Sequence, residues 1–221
     1  MGSTQAISRG TQNRPRQMPM NAMPRIYSYK LSRDFGFAPN PFHGVCTLAT
    51  CKPQIREGAQ VGDLVFGFGS KALNLEERMI FAMRVTEKLS FQQYWDDPRF
   101  SVKKASFSSS KAAAFGDNIY HLDRGQWIQE DSHHSLEGGE LNKANFDRDL
   151  GSENVLVSND FVYWGAGAPP IPDHLRVLDG DDLYPNGRFF RSRYSEIFRS
   201  EVARWFANLP ERGNLGRPTC W

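Results

Sequence analysis

The sequence is short of most of the spacings on which catalytic and metal centres are built. It has three cysteines and five histidines in 221 residues. No Cys-x-x-Cys or His-x-x-x-His pair occurs, so the common zinc patterns are excluded and no metal is expected. Gly-x-Ser-x-Gly and Walker-type phosphate loops are also missing. Cys46 and Cys51 lie an odd number of positions apart, so on one continuous strand they face opposite sides. That makes them poor partners for a disulfide and points to a reduced, cytoplasmic protein. No run approaches the ~18 apolar residues of a membrane span. Neither sign of charge dominates: 27 basic against 25 acidic side chains leave a net of +2. That balance gives no global argument for a nucleic-acid or membrane surface. Internal repeats and heptads are absent as well.

Acids are missing locally. Met1–Arg25 carries Arg9, Arg14, Arg16 and Arg25 and no Asp or Glu. Residues 1–24 are expected to form a disordered basic leader, and they lack the apolar core of a signal peptide. Residues 25–209 are expected to fold as one domain, and the Pro- and Gly-rich residues 210–221 to be a loose tail.

What is present is a set of short strands. Ile26–Leu31 alternates well. Val45–Cys51, Leu64–Phe68, Met79–Val85, Asp117–Leu122, Val155–Val157 and Phe161–Trp164 are β-branched or apolar runs between turn residues. Ser90 reads as the cap of a short helix bearing Tyr94 and Trp95. Ser192–Leu209 is the strongest helical pattern, with Ile197, Phe198, Val202, Trp205 and Phe206 on one stripe. Lys52–Gln60 reads as a link. The polar residues 132–149 read as a loop in which His133 and His134 are a solvated pair. Strands and helices do not alternate, which argues against a doubly wound sheet. The pattern predicts an α+β domain with a small, mostly antiparallel β-barrel or curved sheet flanked by helices.

Gly67-x-Gly69-x-x-Ala72 follows a strand and mimics a dinucleotide fingerprint. The link before the next strand is too short for the helix that fingerprint needs. The two glycines instead leave a strand end bare, where a flat ligand can approach the backbone. Asn40, Phe42, Trp95, Asn118 and Tyr120 lie in loops or at strand ends and supply flat walls and amide groups. With Gly67 and Gly69 they form the candidate base pocket. Arg191, Arg193, Arg199 and Arg204, interleaved with aromatics, are candidate phosphate contacts. Asp34, His43 and Asp117 are the candidates for acid–base work.

Several blocks carry a family resemblance. They are Tyr27-Ser28-Tyr29, Asp34-Phe35-Gly36, Ala38-Pro39-Asn40-Pro41-Phe42, Gly62-Asp63-Leu64-Val65-Phe66-Gly67, Tyr94-Trp95 with Asp97-Pro98-Arg99-Phe100, and Gly116-Asp117-Asn118-Ile119-Tyr120. In this order they resemble the second nucleotide modification associated domain family over roughly residues 24–209. The layout is also similar to the PUA-like superfamily with its EVE and ASCH branches. The first resemblance implies a place in bacterial or phage systems that handle modified DNA bases, alongside other proteins of such a system. The second implies a β-barrel that takes a modified or flipped nucleotide. The expected function is therefore binding of a modified nucleobase or nucleotide, with no cofactor and no membrane. An enzyme on the same substrates, such as a base-excising glycosylase, and a structural partner in a modification complex are the alternatives.

Overall fold

The computed structural model describes residues 23–187 and 189–221; residues 1–22 of the expected leader lie outside them. Period-two alternation sets the layers. A five-stranded sheet has the order β1 (Ile26–Leu31), β3 (Leu64–Gly69), β4 (Met79–Arg84), β9 (Asp160–Tyr163), β10 (Gly213–Asn214). A second sheet has β8 (Asn154–Ser158) between β2 (Cys46–Leu48) and β5 (Glu87–Ser90), all antiparallel. A hairpin of β6 (Tyr120–Asp123) and β7 (Gln126–Gln129) stands apart from both.

One face of the five-stranded sheet turns Tyr29, Leu31, Val65, Phe81 and Met83 toward Cys46, Leu48 and Leu156 of the second sheet. The opposite face turns Ile26, Leu64, Phe66 and Val162 toward Phe198, Val202 and Phe206 of α5 (Glu196–Ala207). On β8 the alternation continues: Leu156 enters the inter-sheet core, while Val155 and Val157 face Phe91, Tyr94, Phe100, Ile119 and Tyr120. That third core lies under α2 (Phe91–Asp96) and the β6–β7 hairpin. Ser90 caps α2 with a reciprocal capping box through Gln93, which fixes where Trp95 stands.

The fold is α+β, and its sheets are mixed. β1 pairs parallel to β3, because β2 and α1 (Pro53–Gly58) form the crossover between them, and β10 is parallel to β9. The described strands do not close into a barrel. The expected link 52–60 contains α1, started by Pro53 in the first turn after a left-handed Lys52. The expected loop 132–149 ends in α4 (Lys143–Asp149), capped by Asn142. Residues 210–221, read as a loose tail, are held by backbone contacts. Leu215 N–H donates to Tyr163 C=O, Cys220 N–H to Asp34 C=O, and the Trp221 indole to Phe35 C=O. Gly216 permits this docking, since a Cβ there would lie 1.9 Å from the Trp164 carbonyl oxygen.

Candidate functional site

The β6–β7 hairpin turns through Arg124 and Gly125, both at positive φ, which matches the twist of the two strands. Neighbouring residues of β6 then face opposite ways. Tyr120 is buried, and its hydroxyl donates to Asp149 Oδ2 at 2.9 Å. His121 stacks on Trp95, with ring centroids 4.1 Å apart and planes 15° apart, and its Nε2 meets Glu130 Oε1 at 2.7 Å. The Lys104 ammonium lies 3.5 Å from the same indole centroid. Two groups that close cannot share one ring face, so the indole is sandwiched between imidazole and ammonium.

Trp95 and Lys104 line a cleft of about 320 Å³ together with Ala105, Phe107, Asn118, Glu130 and Asp131. Asn118 is buried, and its Nδ2 donates to the Tyr94 and Phe100 carbonyls at 2.9 and 3.2 Å. Those two bonds fix which way the amide points. Its Oδ1 is buried with no partner. A larger, shallower hollow of about 450 Å³ lies between Leu178 and Ile197 of α5, but none of its lining residues is a buried polar one.

The other residues singled out in the sequence are placed elsewhere. Asn40 is buried; its amide donates to Phe115 C=O, and its Oδ1 accepts from Phe42 N–H and Lys103 Nζ. Phe42 stacks on Trp221 at 5.3 Å. Gly67 and Gly69 are not bare: Phe81 and Leu75 occupy the space, and a Cβ would come within 2.1 Å of each. Asp117 accepts from Thr47 Oγ1 at 2.6 Å and Tyr94 Oη at 2.9 Å, and burial raises its pKa. Asp34 accepts the single Tyr163 hydroxyl proton, shared between its two oxygens, and the Thr219 N–H, and burial raises it too. His43 is exposed on a left-handed turn. Arg191, Arg199 and Arg204 pair with Asp181, Glu196 and Glu201, and Arg193 is exposed. These arginines lie on or just before α5, in a different layer from the Trp95 cleft. Of the seven candidate base-pocket residues, the cleft thus brings together Trp95 and Asn118, while Tyr120 is buried outside its lining, on Asp149.

A second cluster escaped sequence reading. His134 Nδ1 lies 2.7 Å from Asp149 Oδ2, and Nε2 lies 3.8 Å from Cys51 Sγ. Asp149 Oδ1 also accepts the Cys51 N–H at 2.8 Å. Of the two histidines read as a solvated pair, His133 is exposed and His134 is buried. His133 packs against Phe35, Phe37 and Phe115, and His134 turns inward, 8% exposed.

The family model described as nucleotide modification associated domain 2 matches residues 23–221. The chain belongs to that family. No curated protein and no solved structure matches it.

The nucleotide modification associated domain therefore carries an amide-and-indole cleft and a thiol–imidazole–carboxylate cluster, and β6 touches both, through His121 stacked on Trp95 and through the Tyr120 hydroxyl on Asp149. Among its described residues no helix is long and apolar enough to cross a membrane. The cluster gives the domain a pH signature. Burial opposes charge on His134, but the Asp149 hydrogen bond and the Cys51 contact prevail and raise its pKa from 6.5 to about 9. The stabilisation is fully present below pH 6.5 and is lost as pH rises through about 9. Lys103, lowered to about 8 by burial, works in the opposite sense over the upper part of this range. The comparison is therefore wild type against His134→Asn. Urea midpoints at pH 6.5 and 9 are expected to show a stability advantage for wild type that shrinks at the higher pH.

Proposed function

We propose that this domain binds a modified nucleobase or nucleotide, presented by nucleic acid, in the cleft between Trp95 and Asn118. The observation that carries the reading is the orphaned Asn118 Oδ1 in a residue that lines the cleft. A buried acceptor left unmade costs ~1–3 kcal/mol, which a ligand donor recovers. Both Nδ2 hydrogens are committed, so Asn118 offers an acceptor only and selects a donor. The exocyclic amine of cytosine or adenine, or the hydroxyl of a hydroxymethylated pyrimidine, supplies one. The cleft volume sits at the low end of the ~300–1,000 Å³ of small-molecule sites and suits a single base. Lys104 moves off the indole as the base stacks, while Glu130 and Asp131 at the rim disfavour a phosphate and favour the neutral base. The fold is read with this as PUA-like, within a bacterial or phage DNA-modification system. Arg191, Arg193, Arg199 and Arg204 serve as a separate backbone contact.

The alternative of acid–base catalysis by Asp34, His43 and Asp117 has less support, since both carboxylates are buried and hydrogen-bonded, Asp34 to Tyr163 and Thr219 N–H and Asp117 to the Thr47 and Tyr94 hydroxyls. Fluorescence anisotropy with short oligonucleotides, each bearing one modified or unmodified cytosine or adenine, tests the proposal. Stacking is worth ~1–3 kcal/mol per base, so Trp95→Ala is expected to weaken binding about ten- to hundredfold. Asn118→Ala is expected to do the same and to flatten discrimination among the bases. Affinities equal in wild type and both variants, or no binding to any oligonucleotide, would sink the assignment and leave the structural-partner reading.

A further inference from the structure

Cys51, His134 and Asp149 play no part in base reading, yet they stand in the relation of nucleophile, base and orienting acid. We propose that Cys51 is a catalytic nucleophile for acyl transfer, with His134 as its acid–base partner and Asp149 as the positioning residue. The substrate class is an ester or amide acyl group on an anionic carrier, a function additional to base binding and independent of it.

Four observations support this. Cys51 is half-buried and so within reach of a reagent, whereas Cys46 is wholly buried. Cys51 and Lys52 are consecutive non-glycine residues at φ +57 and +42, on the turn between β2 and α1. Strained backbone of this kind persists only where its surroundings over-determine it. Here Asp149 Oδ1 holds the Cys51 N–H, and Arg56 Nε donates to the Cys51 carbonyl at 2.8 Å. The surroundings are cationic: Arg148 Nη2 lies 3.4 Å from both His134 ring nitrogens, and the half-buried Lys52 follows Cys51 directly. The three side chains also form a chain, not a shell. Among the described residues no three His, Cys, Asp or Glu groups converge as metal ligands would.

The chemistry balances without a redox step. His134 holds the proton taken from Sγ while the thiolate attacks the acyl carbon. The tetrahedral adduct collapses, the bond from carbon to the alcohol or amine breaks, and His134 hands its proton to that leaving group. A thioester on Cys51 remains. Water, deprotonated by His134, attacks it; the C–S bond breaks, a carboxylic acid leaves, and the thiol is restored.

The test uses the full chain and p-nitrophenyl acetate. The expected result is a burst of one equivalent of p-nitrophenolate and one acetyl group, mapped by peptide mass spectrometry to Cys51 ahead of Cys46 and Cys220. Cys51→Ser removes the burst, and His134→Asn slows acetylation about a hundredfold. Asp149→Asn is read by NMR titration of the His134 imidazole, which is expected to move down from about 9. Acetylation of Cys220 as fast as Cys51 in the wild-type chain overturns the proposal, whatever the folding of the variants. Unchanged acetylation in His134→Asn overturns it equally, and an unmoved titration in Asp149→Asn removes Asp149 from its role.

Discussion

Arg56→Met is expected to lower stability by about 3–5 kcal/mol, the scale for removing one partner of a buried charged network. Arg56 has no solvent exposure although it sits on a short helix. Its guanidinium donates to four backbone carbonyls: Cys51, Asp149, Ser152 and Asn154. These come from the β2–α1 turn, the end of α4 and the start of β8, three segments also joined by the Asp149 bond to Cys51 N–H and by the Ser152 and Asn154 bonds to Glu57. Its charge lies 5.2 Å from the Phe91 ring centre. Burial pulls its pKa down to about 10, so it remains charged at neutral pH. Methionine fills much of the volume and donates nothing, leaving acceptors that each cost ~1–3 kcal/mol where water cannot follow. Urea denaturation with an unchanged slope would measure the loss. A loss below about 1 kcal/mol would mean the carbonyls are rehydrated.

Lys103→Met is expected to cost about 3 kcal/mol by the same logic at a different junction. The Lys103 ammonium is fully buried and donates to Asn40 C=O at 3.0 Å, Asn40 Oδ1 at 2.8 Å and Val45 C=O at 2.8 Å. It ties the Asn40 loop to β2 and offsets the charge of buried Asp117. Burial lowers its pKa from 10.5 to about 8. The folded state therefore disfavours the charged form below pH 8, and that penalty is relieved as pH rises from 8 to 10.5. The deficit of the variant is accordingly expected to be larger at pH 10 than at pH 7, which paired urea titrations would show. A deficit that shrinks with pH would contradict the sign.

Four strands of the five-stranded sheet were legible because both of their faces are buried in a period-two pattern; β10, in the expected tail, was not. Ile26–Leu31, Leu64–Phe68 and Met79–Val85 have few other ways to hide alternate apolar residues. The cap at Ser90 was legible for an equally local reason. What escaped was built by backbone and by distance. A two-turn helix after left-handed Lys52 has no amphipathic stripe to read. The last dozen residues dock through main-chain bonds that composition does not encode. Gly67 and Gly69 signalled close approach correctly, but the approaching groups are Phe81 and Leu75 of the same chain.

At the sites the division is similar. Trp95 and Asn118 stood out as a flat wall and an amide, and the hairpin brings them to one cleft. Asn40 looked equivalent in sequence, yet its amide is consumed by Phe115, Phe42 and Lys103. Cys51, His134 and Asp149 lie on three separate elements, and only the fold puts them in contact. The one local signal was a histidine pair, both packed on Phe37, of which only His134 is buried against Asp149 and Cys51.

The most direct test of base reading is an NMR titration of isotope-labelled protein with mononucleotides carrying modified and unmodified cytosine and adenine. The account predicts that the Trp95 indole and the Asn118 side-chain amide shift together, with the His121 ring responding through the stack. Shifts confined to the arginines of α5, with Trp95 and Asn118 still, would contradict it.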